Sequence, residues 1–242
     1  MPEFLVANWP APANVRAGVT TRQGGVSVAP YDGFNLATHV GDNPAVVAQN
    51  RALLRTTLKL PAEPVWLEQV HGVAVVNAAT TKIFCADASY ASEKNIVCTV
   101  MTADCLPVLI CNRAGTKVAA AHAGWRGLHA GVIEASISVL QETPDNILVW
   151  LGPAIGPQAF EVGDEVRTAF VNDLPQTATA FKATRPGHWL ADIYQLARLR
   201  LARIGVNNVY GGDLCTYTDQ QRFYSYRRDG KTGRMASLIW LE

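Results

Sequence analysis

The sequence has no long hydrophobic run and nothing that would direct it into a membrane or out of the cell. No window approaches the roughly 18 consecutive apolar residues of a membrane-spanning helix. Residues 1–18 lack the basic segment and long apolar stretch that form a signal peptide. The 242 residues include five cysteines, an odd number without a Cys-x-x-Cys pair or a compact disulfide spacing. These absences predict a cytoplasmic protein with reduced thiols and no membrane partner.

An excess of charge of one sign is also missing. Lys and Arg number 21 and Asp and Glu 20, so the net charge is +1. No broad electrostatic surface for nucleic acid or anionic lipid is therefore expected. The G-x-G-x-x-G loop and the Walker A sequence are absent too, which argues against the nucleotide-binding folds that they mark. The balance of charge predicts a protein without a nucleic-acid partner.

Hydrophobic residues are abundant, at 49% of the chain, and charged residues make up 17%. This composition suffices for a substantial core. Because no internal repeat, low-complexity segment or linker is visible, we predict a single domain over residues 1–242. Short apolar strands interleave with about four helices, but hairpins occur as well. The pattern predicts an α+β fold with mixed sheets rather than a series of βαβ units.

One helix has clear boundary signals. It is predicted from Pro44 to about Leu58, because Asp42 or Asn43 can cap it and proline suits its first turn. Arg51 falls beside the apolar stripe of this helix. It is either an ordinary surface arginine or a ligand for an anion.

Three further elements are predicted from periodicity and end signals. Gly127–Gln141 is expected to be one amphipathic helix, and Asp192 is expected to cap a helix that runs to Ile204. Val65–Gly72 alternates like a strand and carries His71 near its end. A histidine at the end of a strand is more often satisfied or exposed than a ligand, so His71 alone predicts little.

The segment from Met101 to Gly127 predicts a β-hairpin. Its two apolar runs, Leu106–Cys111 and Lys117–Ala121, flank a turn-forming cluster that contains glycine. If Cys111 faces Thr116, then Cys105 faces His122 at the open end, with Cβ atoms roughly 5 Å apart. A register slip of one residue would separate the two side chains. Pro107 cannot donate to a ladder, which predicts an edge strand or a bulge.

His71, Cys105 and His122 are the candidate functional residues, because each ends a predicted element. Two imidazoles and a thiolate suit Zn²⁺, with copper as the alternative, and three protein ligands leave a fourth position open. A second interpretation makes Cys105 a nucleophile with His122 as its base and no metal. A third is a buried thiol beside a hydrogen-bonded histidine, without function. Spacing alone leaves the three open.

Five motifs resemble one family over almost the whole chain, from Thr21 to Leu241. They are TRQGGVS, LEQVHG, TADCLPVLIC, HAGWRG and FYSYRRDGKTGRM. The chain resembles the bacterial polyphenol-oxidase, or peptidoglycan-editing-factor, family, whose mammalian relative is the laccase-domain protein FAMIN. The resemblance implies a sandwich of mixed β-sheets flanked by helices, similar to the catalytic domain of cytotoxic necrotizing factor toxins.

The resemblance also implies site residues. The family's metal ligands match His71, Cys105 and His122, and a family arginine near the site matches Arg51. The implied activity is that of a zinc enzyme which cleaves adenosine, inosine and methylthioadenosine with phosphate and deaminates adenosine. Its partners would then be small molecules, a purine nucleoside and phosphate. Zinc-activated water suits the deamination, and arginine suits phosphate.

Other functions have been attributed to the same family. One is an amidase that edits wrongly built muramyl-peptide precursors, and another is copper-dependent oxidation of phenols. A multicopper laccase needs about ten histidines, as knowledge of laccases implies, whereas this chain has five histidines and three methionines. A non-catalytic metal or nucleoside sensor is the alternative outside enzymes. Arg22 is a further candidate for the anion, and Glu68 and Asp87 are candidate proton carriers.

Overall fold

Three β-sheets form the framework of the computed structural model, which describes residues 2–82 and 84–242. The strands are, in chain order, β1 Phe4–Val6, β2 Val15–Thr20, β3 Val75–Asn77, β4 Ala88–Ala91, β5 Cys98–Thr102, β6 Leu106–Asn112, β7 Val118–Ala123, β8 Ile147–Leu151, β9 Glu161–Gly163, β10 Phe181–Arg185, β11 His188–Ala191, β12 Val209–Gly211 and β13 Met235–Leu241.

The helices lie outside the sheets. They are α1 Pro44–Leu58, α2 Trp125–Ala130, α3 Val132–Ser138, α4 Asp164–Asp173, α5 Ile193–Arg203 and the single turn α6 Tyr226–Asp229. Two short 3₁₀ segments cover Pro144–Asn146 and Pro175–Ala180. Within the described residues, none of the helices is both long and apolar enough to cross a bilayer.

The strand order produces one large mixed sheet and two antiparallel sheets. The six-stranded sheet has the order β12-β8-β6-β7-β4-β3, with parallel pairs at both edges and antiparallel pairs between them. The four-stranded sheet has the order β1-β2-β13-β5, and the three-stranded sheet β10-β11-β9. The predicted α+β class is thereby confirmed.

Side-chain alternation along the central strands gives the molecule four layers. In β6, Leu109 and Cys111 pack toward the four-stranded sheet, whereas Val108 and Ile110 pack against α2, α3 and α5. On the outer face of the four-stranded sheet, Leu238 of β13 packs in a third cluster with residues of α1. The order is therefore helix, sheet, sheet, helix, which confirms the predicted sandwich flanked by helices. Of its two sheets the six-stranded one is mixed, whereas the four-stranded one is antiparallel. The single domain over residues 1–242 and the cytoplasmic location stay predictions.

The predicted first helix is confirmed with its boundaries. α1 begins at Pro44, and the side chain of Asn43 accepts a hydrogen bond from the Ala45 amide at 2.9 Å. The helix that Asp192 was expected to cap is confirmed as well, since its carboxylate accepts from the Gln195 amide. Local capping chemistry thus decides where these helices start.

The predicted helix over Gly127–Gln141 is wrong in one respect, because it is two helices. Gly131 has a φ of +102° and separates α2 from α3. Its amide donates to the Gly127 carbonyl, which ends α2 with a left-handed residue. The apolar periodicity continues across the break, so the periodicity alone could not reveal it.

The predicted strand Val65–Gly72 is also wrong. Only isolated bridges occur there, Val65 with Cys98 and Glu68 with Cys85. The backbone amides of residues 70–72 donate to the side chain of Asp87 instead of to a neighbouring strand.

The predicted hairpin exists as β6 and β7, but its register differs by two residues. Leu106 pairs with Ala123, and Pro107 pairs with His122. The turn is longer than expected because the Asn112 side-chain oxygen accepts from the amides of Thr116 and Lys117. A shift of two residues preserves the face on which every side chain lies. Cys105 and His122 therefore still lie on the same side of the hairpin, as predicted.

The prediction that Pro107 marks an edge strand or a bulge is wrong, since β6 lies in the middle of the six-stranded sheet. The His122 amide opposite donates to the Asp87 carbonyl, away from Pro107. The Pro107 carbonyl accepts from Gly152, just past the end of β8 at Leu151. The Gly152 carbonyl opposite accepts from the Tyr194 hydroxyl at 3.2 Å, so the missing proline N–H leaves no acceptor without a partner.

Candidate metal centre

His71, Cys105 and His122 converge at the end of the hairpin. Their ligand atoms all lie within 4.8 Å of one another. The Cys105 Sγ lies 3.8 Å from the His71 Nε2, and the two imidazole rings are 4.7 Å apart at an interplanar angle of 75°. Cys105 directly precedes β6, His122 lies in β7, and His71 lies in the loop before β3. The predicted proximity of the three residues is confirmed.

Asp87, directly before β4, positions both histidines. Its fully buried carboxylate accepts from the amides of Val70, His71 and Gly72 at 3.2, 2.9 and 2.7 Å. It also accepts from the His122 Nδ1 at 2.8 Å. The three amides compensate for the left-handed backbone of His71, whose φ is +61°. With its Nδ1 bound to the carboxylate, the His122 ring directs its Nε2 away from Asp87, as in carboxylate–histidine–metal arrangements.

The electrostatics of the cluster favour anionic sulfur. Burial raises the pKa of the Cys105 thiol, but the charges and hydrogen bonds of His122 and His71 outweigh it and lower the pKa to about 6. Burial lowers the pKa of His122, but Cys105 and the Asp87 carboxylate raise it to about 9. For Asp87, burial raises the pKa, yet the hydrogen bonds from His122 and Gly72 hold it below its usual value. The cluster therefore presents a thiolate, the form that binds metals.

A single metal ion fits these three donors. Two imidazoles and a thiolate form a donor set that zinc and copper both accept. Gly124 shows how closely the site is packed, because a Cβ there would lie 2.8 Å from the His71 Cδ2 and 3.0 Å from the Cys105 Sγ. A Cys–His pair acting as nucleophile and base would need no second imidazole on the sulfur. The presence of His71 beside Cys105 therefore favours a metal over the nucleophile.

In the part of the chain that the structure describes, the site does not have enough ligands for more than one metal ion. Within residues 2–82 and 84–242, the three-residue group is the one cluster of three or more His, Cys, Asp or Glu that could hold an ion. Of the other histidines, His129 contacts the Ala169 carbonyl and His188 lies beside Glu161. The fifth, His39, lies on the wall of a nearby cavity. The donor set therefore supports one metal and not a multicopper cluster.

The cluster opens into a cavity of about 500 Å³, within the size range of small-molecule sites. One wall is apolar and is formed by Trp125, Ile155, Phe160 and Ile193. The remaining wall carries polar side chains, among them His39, Gln69, Arg227 and Arg234. This combination of flat apolar surface and a few polar groups is typical of a ligand pocket.

Asp104, the residue before Cys105, connects the cavity to the C-terminal segment. Its φ is +91°, and its carboxylate accepts from the Thr216 Oγ1 at 2.5 Å, the Ser225 Oγ at 3.0 Å and the Arg227 amide at 2.7 Å. The left-handed backbone is sustained by these three bonds. Asp104 therefore fixes the backbone from which the Cys105 side chain projects.

Arg51 lies close to this site without lining the cavity. Its Nε donates to the Leu36 carbonyl at 2.9 Å, and its guanidinium stacks 3.9 Å from the Trp66 ring. The second predicted arginine, Arg22, pairs with Asp32 at 2.8 Å, in a different surface depression.

Of the two candidate proton carriers, Glu68 is exposed and Asp87 is engaged as the orienting carboxylate.

Sequence reasoning missed four residues of the site, namely His39, Asp104, Arg227 and Arg234. Asp104, Arg227 and Arg234 stand in the motifs TADCLPVLIC and FYSYRRDGKTGRM, and His39 ends the segment FNLATH, but no residue-type pattern marked any of them as part of a site. Nothing in the spacing distinguished them from ordinary loop residues. Asp87 had been singled out, but not its bonds to three backbone amides.

Comparison with known proteins gives consistent matches over the whole chain. Residues 16–242 match the family model described as multi-copper polyphenol oxidoreductase laccase. The chain is 57% identical to purine nucleoside phosphorylase YfiH of Escherichia coli, and 56% identical to purine nucleoside phosphorylase PA4543 of Pseudomonas aeruginosa. Both alignments cover 100% of each chain.

Solved structures agree with the sequence relatives. The crystal structure of Neisseria meningitidis protein NMB0706 superposes with a TM-score of 0.95 at 54% identity, over 99% of each chain. YlmD from Geobacillus stearothermophilus gives a TM-score of 0.89 at 33% identity, over 96% of this chain and 94% of the other. The chain belongs to the multi-copper polyphenol oxidoreductase laccase family.

Proposed function

We propose that this chain is a metal-dependent purine nucleoside phosphorylase. Its substrates would be adenosine, inosine and methylthioadenosine, and the same site would deaminate adenosine. The observation that carries the proposal is the His71–Cys105–His122 cluster at a half-apolar cavity of nucleoside size. The printed names of the Escherichia coli and Pseudomonas aeruginosa relatives support the same activity.

His71, Cys105 and His122 would hold one zinc ion, with copper as the alternative. When bound, the metal would supply a Lewis acid that polarises an oxygen of the substrate. Asp87 would keep the His122 ring in the ligating orientation through the bond to its Nδ1. The family's description names several coppers, whereas the described residues gather one three-ligand group.

The cavity walls would bind and orient the nucleoside. Trp125 and Phe160 offer flat apolar surface for the purine. In phosphorolysis the bond between the ribose C1′ and the purine nitrogen breaks, a phosphate oxygen bonds to C1′, and the purine nitrogen takes a proton. The protein must therefore place an anion beside the ribose and keep water from competing with it.

Phosphate-dependent release of adenine tests the proposal. Zinc-loaded protein would be incubated with adenosine, with and without phosphate, and the products separated by chromatography. Wild type should give adenine only with phosphate, while His71→Ala and Cys105→Ala should lose both metal and activity. His188→Ala, a histidine outside the cavity, is the matched control and should behave as wild type.

Two results would contradict the proposal. Unchanged adenosine in the presence of fully loaded protein and phosphate would favour the sensor or the amidase of muramyl-peptide precursors, neither of which needs free phosphate. An active, metal-free His71→Ala protein would instead restore Cys105 as a nucleophile with His122 as its base.

A further inference from the structure

We infer that His39 and Arg234 form an oxyanion subsite, the cationic wall of the cavity, which takes a phosphate group beside the metal cluster. The inference rests on the proposed function, because it assigns the phosphate of the phosphorolysis to this wall. Both residues line the same cavity as His71 and Cys105. The chemistry that the wall recognises is a tetrahedral oxyanion, either free phosphate or the phosphate group of a nucleotide.

Arg234 forms no ion pair among the described residues. Its Nη1 donates to the carbonyls of Thr232 and Gly233, both at 2.9 Å. Among the described residues, no carboxylate lies within 4.0 Å of this guanidinium, and its Nε and Nη2 have no hydrogen-bond partner. Burial lowers the pKa of Arg234 more than the nearby Cys105 and Asp104 raise it, so the cation is less well solvated here than in water. Burying an arginine that has no ion-pair partner costs free energy, and a bound anion would offset this cost.

His39 adds an imidazole to the same wall. The pKa of His39 is lowered first by burial and then by the charges of Arg234 and Arg51, which favours the neutral imidazole. The one acidic side chain that opposes this effect is the exposed Glu68. A neutral imidazole can still hydrogen-bond an oxygen of a bound anion, while Arg234 supplies the positive charge.

Buried hydrogen bonds hold the wall in place. The Asn35 side-chain oxygen accepts from the amides of Ala37 and Arg234, at 3.1 and 3.0 Å. Its nitrogen donates to the buried Asp42 carboxylate at 2.9 Å. The loop that carries His39 is thus hydrogen-bonded to Arg234, which directly precedes β13. Asn50, also buried, donates to the Asn35 carbonyl at 2.9 Å and secures this loop against α1.

The network that holds the wall consists of buried polar side chains. Asn35, Asp42 and Asn50 are 0%, 8% and 0% exposed, and their side chains are satisfied by one another and by the loop backbone. Such a network adds little to the apolar core but fixes one loop conformation. Fixing His39 and Arg234 in advance lowers the ordering cost of binding a small anion.

Arg227 also lines the cavity, but it does not share this role. Its Nη1 donates to the Glu161 carbonyl at 2.9 Å, and its side chain is exposed at the rim. Both guanidiniums donate through Nη1 to backbone carbonyls, but Arg227 is exposed whereas Arg234 is half-buried, and a solvated guanidinium gains less from an anion than a half-buried one. The asymmetry predicts that Arg234 contributes more to phosphate binding than Arg227.

Binding of inorganic phosphate to the zinc-loaded protein tests the subsite without relying on turnover. Isothermal titration calorimetry would compare wild type with Arg234→Gln, Arg234→Lys and His39→Gln. Arg234→Gln should weaken binding about tenfold or more, because it removes a charge-assisted contact. Arg234→Lys should weaken it less, since the charge remains. Arg55→Gln, an exposed position on α1, is the control and should bind as wild type.

A second arm distinguishes the two sources of phosphate. If the wall takes a nucleotide's phosphate group, adenosine monophosphate should bind more tightly than adenosine, and Arg234→Gln should abolish the difference. If it takes free phosphate, adenosine and phosphate should bind together while the nucleotide gains nothing over adenosine. Either result supports the subsite, provided that Arg234→Gln weakens the oxyanion's binding and keeps wild-type metal content and circular dichroism.

The outcomes separate this inference from the proposed function. Wild-type phosphate affinity in Arg234→Gln, with unchanged KM for phosphate, would overturn the subsite while leaving phosphorolysis intact. Arg234-dependent phosphate binding without any release of purine base would support the subsite and contradict the proposed activity.

Discussion

Replacing Asp87 by asparagine should both destabilise the fold and weaken the metal centre. The Oδ1 accepts from the His71 amide and the His122 Nδ1, and the Oδ2 accepts from the amides of Val70 and Gly72. Asparagine keeps one acceptor oxygen and replaces the other with an NH₂ group. Whichever way the amide turns, two donors face a donor and lose their acceptor.

The magnitude follows from the burial of this group. Asp87 is 0% exposed, so water cannot replace the lost bonds. Each buried donor left without a partner costs about 1–3 kcal/mol, which gives roughly 2–6 kcal/mol of stability for the pair. Zinc affinity should fall about 10–100-fold, as when the hydrogen-bond partner of a ligating histidine is removed.

The pH dependence of the effect has a definite sign. Because the pKa of Asp87 is depressed in the folded protein, its contribution is present above the carboxyl's unfolded pKa of about 4 and is lost as pH falls toward the folded value. The carboxyl's own part of the difference between wild type and Asp87→Asn should therefore be fully present above about pH 5 and should shrink below about pH 4. The part that acts through His122, whose pKa is raised to about 9, should be lost as the pH rises from about 6.5 to 9.

The assay combines urea unfolding with competition for zinc by a chromophoric chelator. Asp192→Ala is the control, because it removes the N-cap of α5 and should cost about 1 kcal/mol without changing zinc affinity. Wild-type zinc affinity in Asp87→Asn would refute the assignment of Asp87 as the residue that orients the site.

Two further variants or treatments probe the same centre. Gly124→Ala should lower the zinc content, because its Cβ would lie 3.0 Å from the Cys105 sulfur. Gly163→Ala is the control and should retain zinc, because its Cβ would meet only the flexible end of an exposed side chain. Equal zinc content in the two variants would contradict the packing argument. In the metal-free protein at pH 7.5, iodoacetamide should alkylate Cys105, whose pKa is about 6, and bound zinc should prevent this. Cys98 and Cys111, whose pKa values burial raises to about 12, should stay unmodified in both forms. Peptide mass spectrometry would identify the modified cysteines. Modification of Cys105 at the same rate with and without zinc would contradict its role as a ligand.

Local sequence signals predicted those parts of the fold that local chemistry decides. The Asn43–Pro44 start of α1 follows from capping and from the fixed φ of proline. The side of the hairpin on which Cys105 and His122 lie was also predictable, because alternation along a strand has a period of two. The register itself was not, since it depends on the Asn112 side chain that closes the longer turn.

Contacts between distant segments were hidden from sequence reasoning. Asp87 binds amides 15–17 residues earlier in the chain, and amide donors carry no residue-type signal. The alternation of Val65–Gly72 therefore suggested a strand, whereas its last backbone amides donate hydrogen bonds to the Asp87 carboxylate. Arg234 and His39 are 195 residues apart and meet through Asn35. Only the fold identifies Arg234 as an unpaired cation.

The central claim is that one metal ion, held by His71, Cys105 and His122, supports phosphate-dependent cleavage of purine nucleosides. The most direct test strips the protein of metal, returns zinc in measured steps and follows adenine release from adenosine and phosphate at each step. The account predicts no activity without metal and a linear rise that ends at one zinc per chain. Full activity in the stripped protein, or a rise that continues to several metal ions per chain, would contradict it.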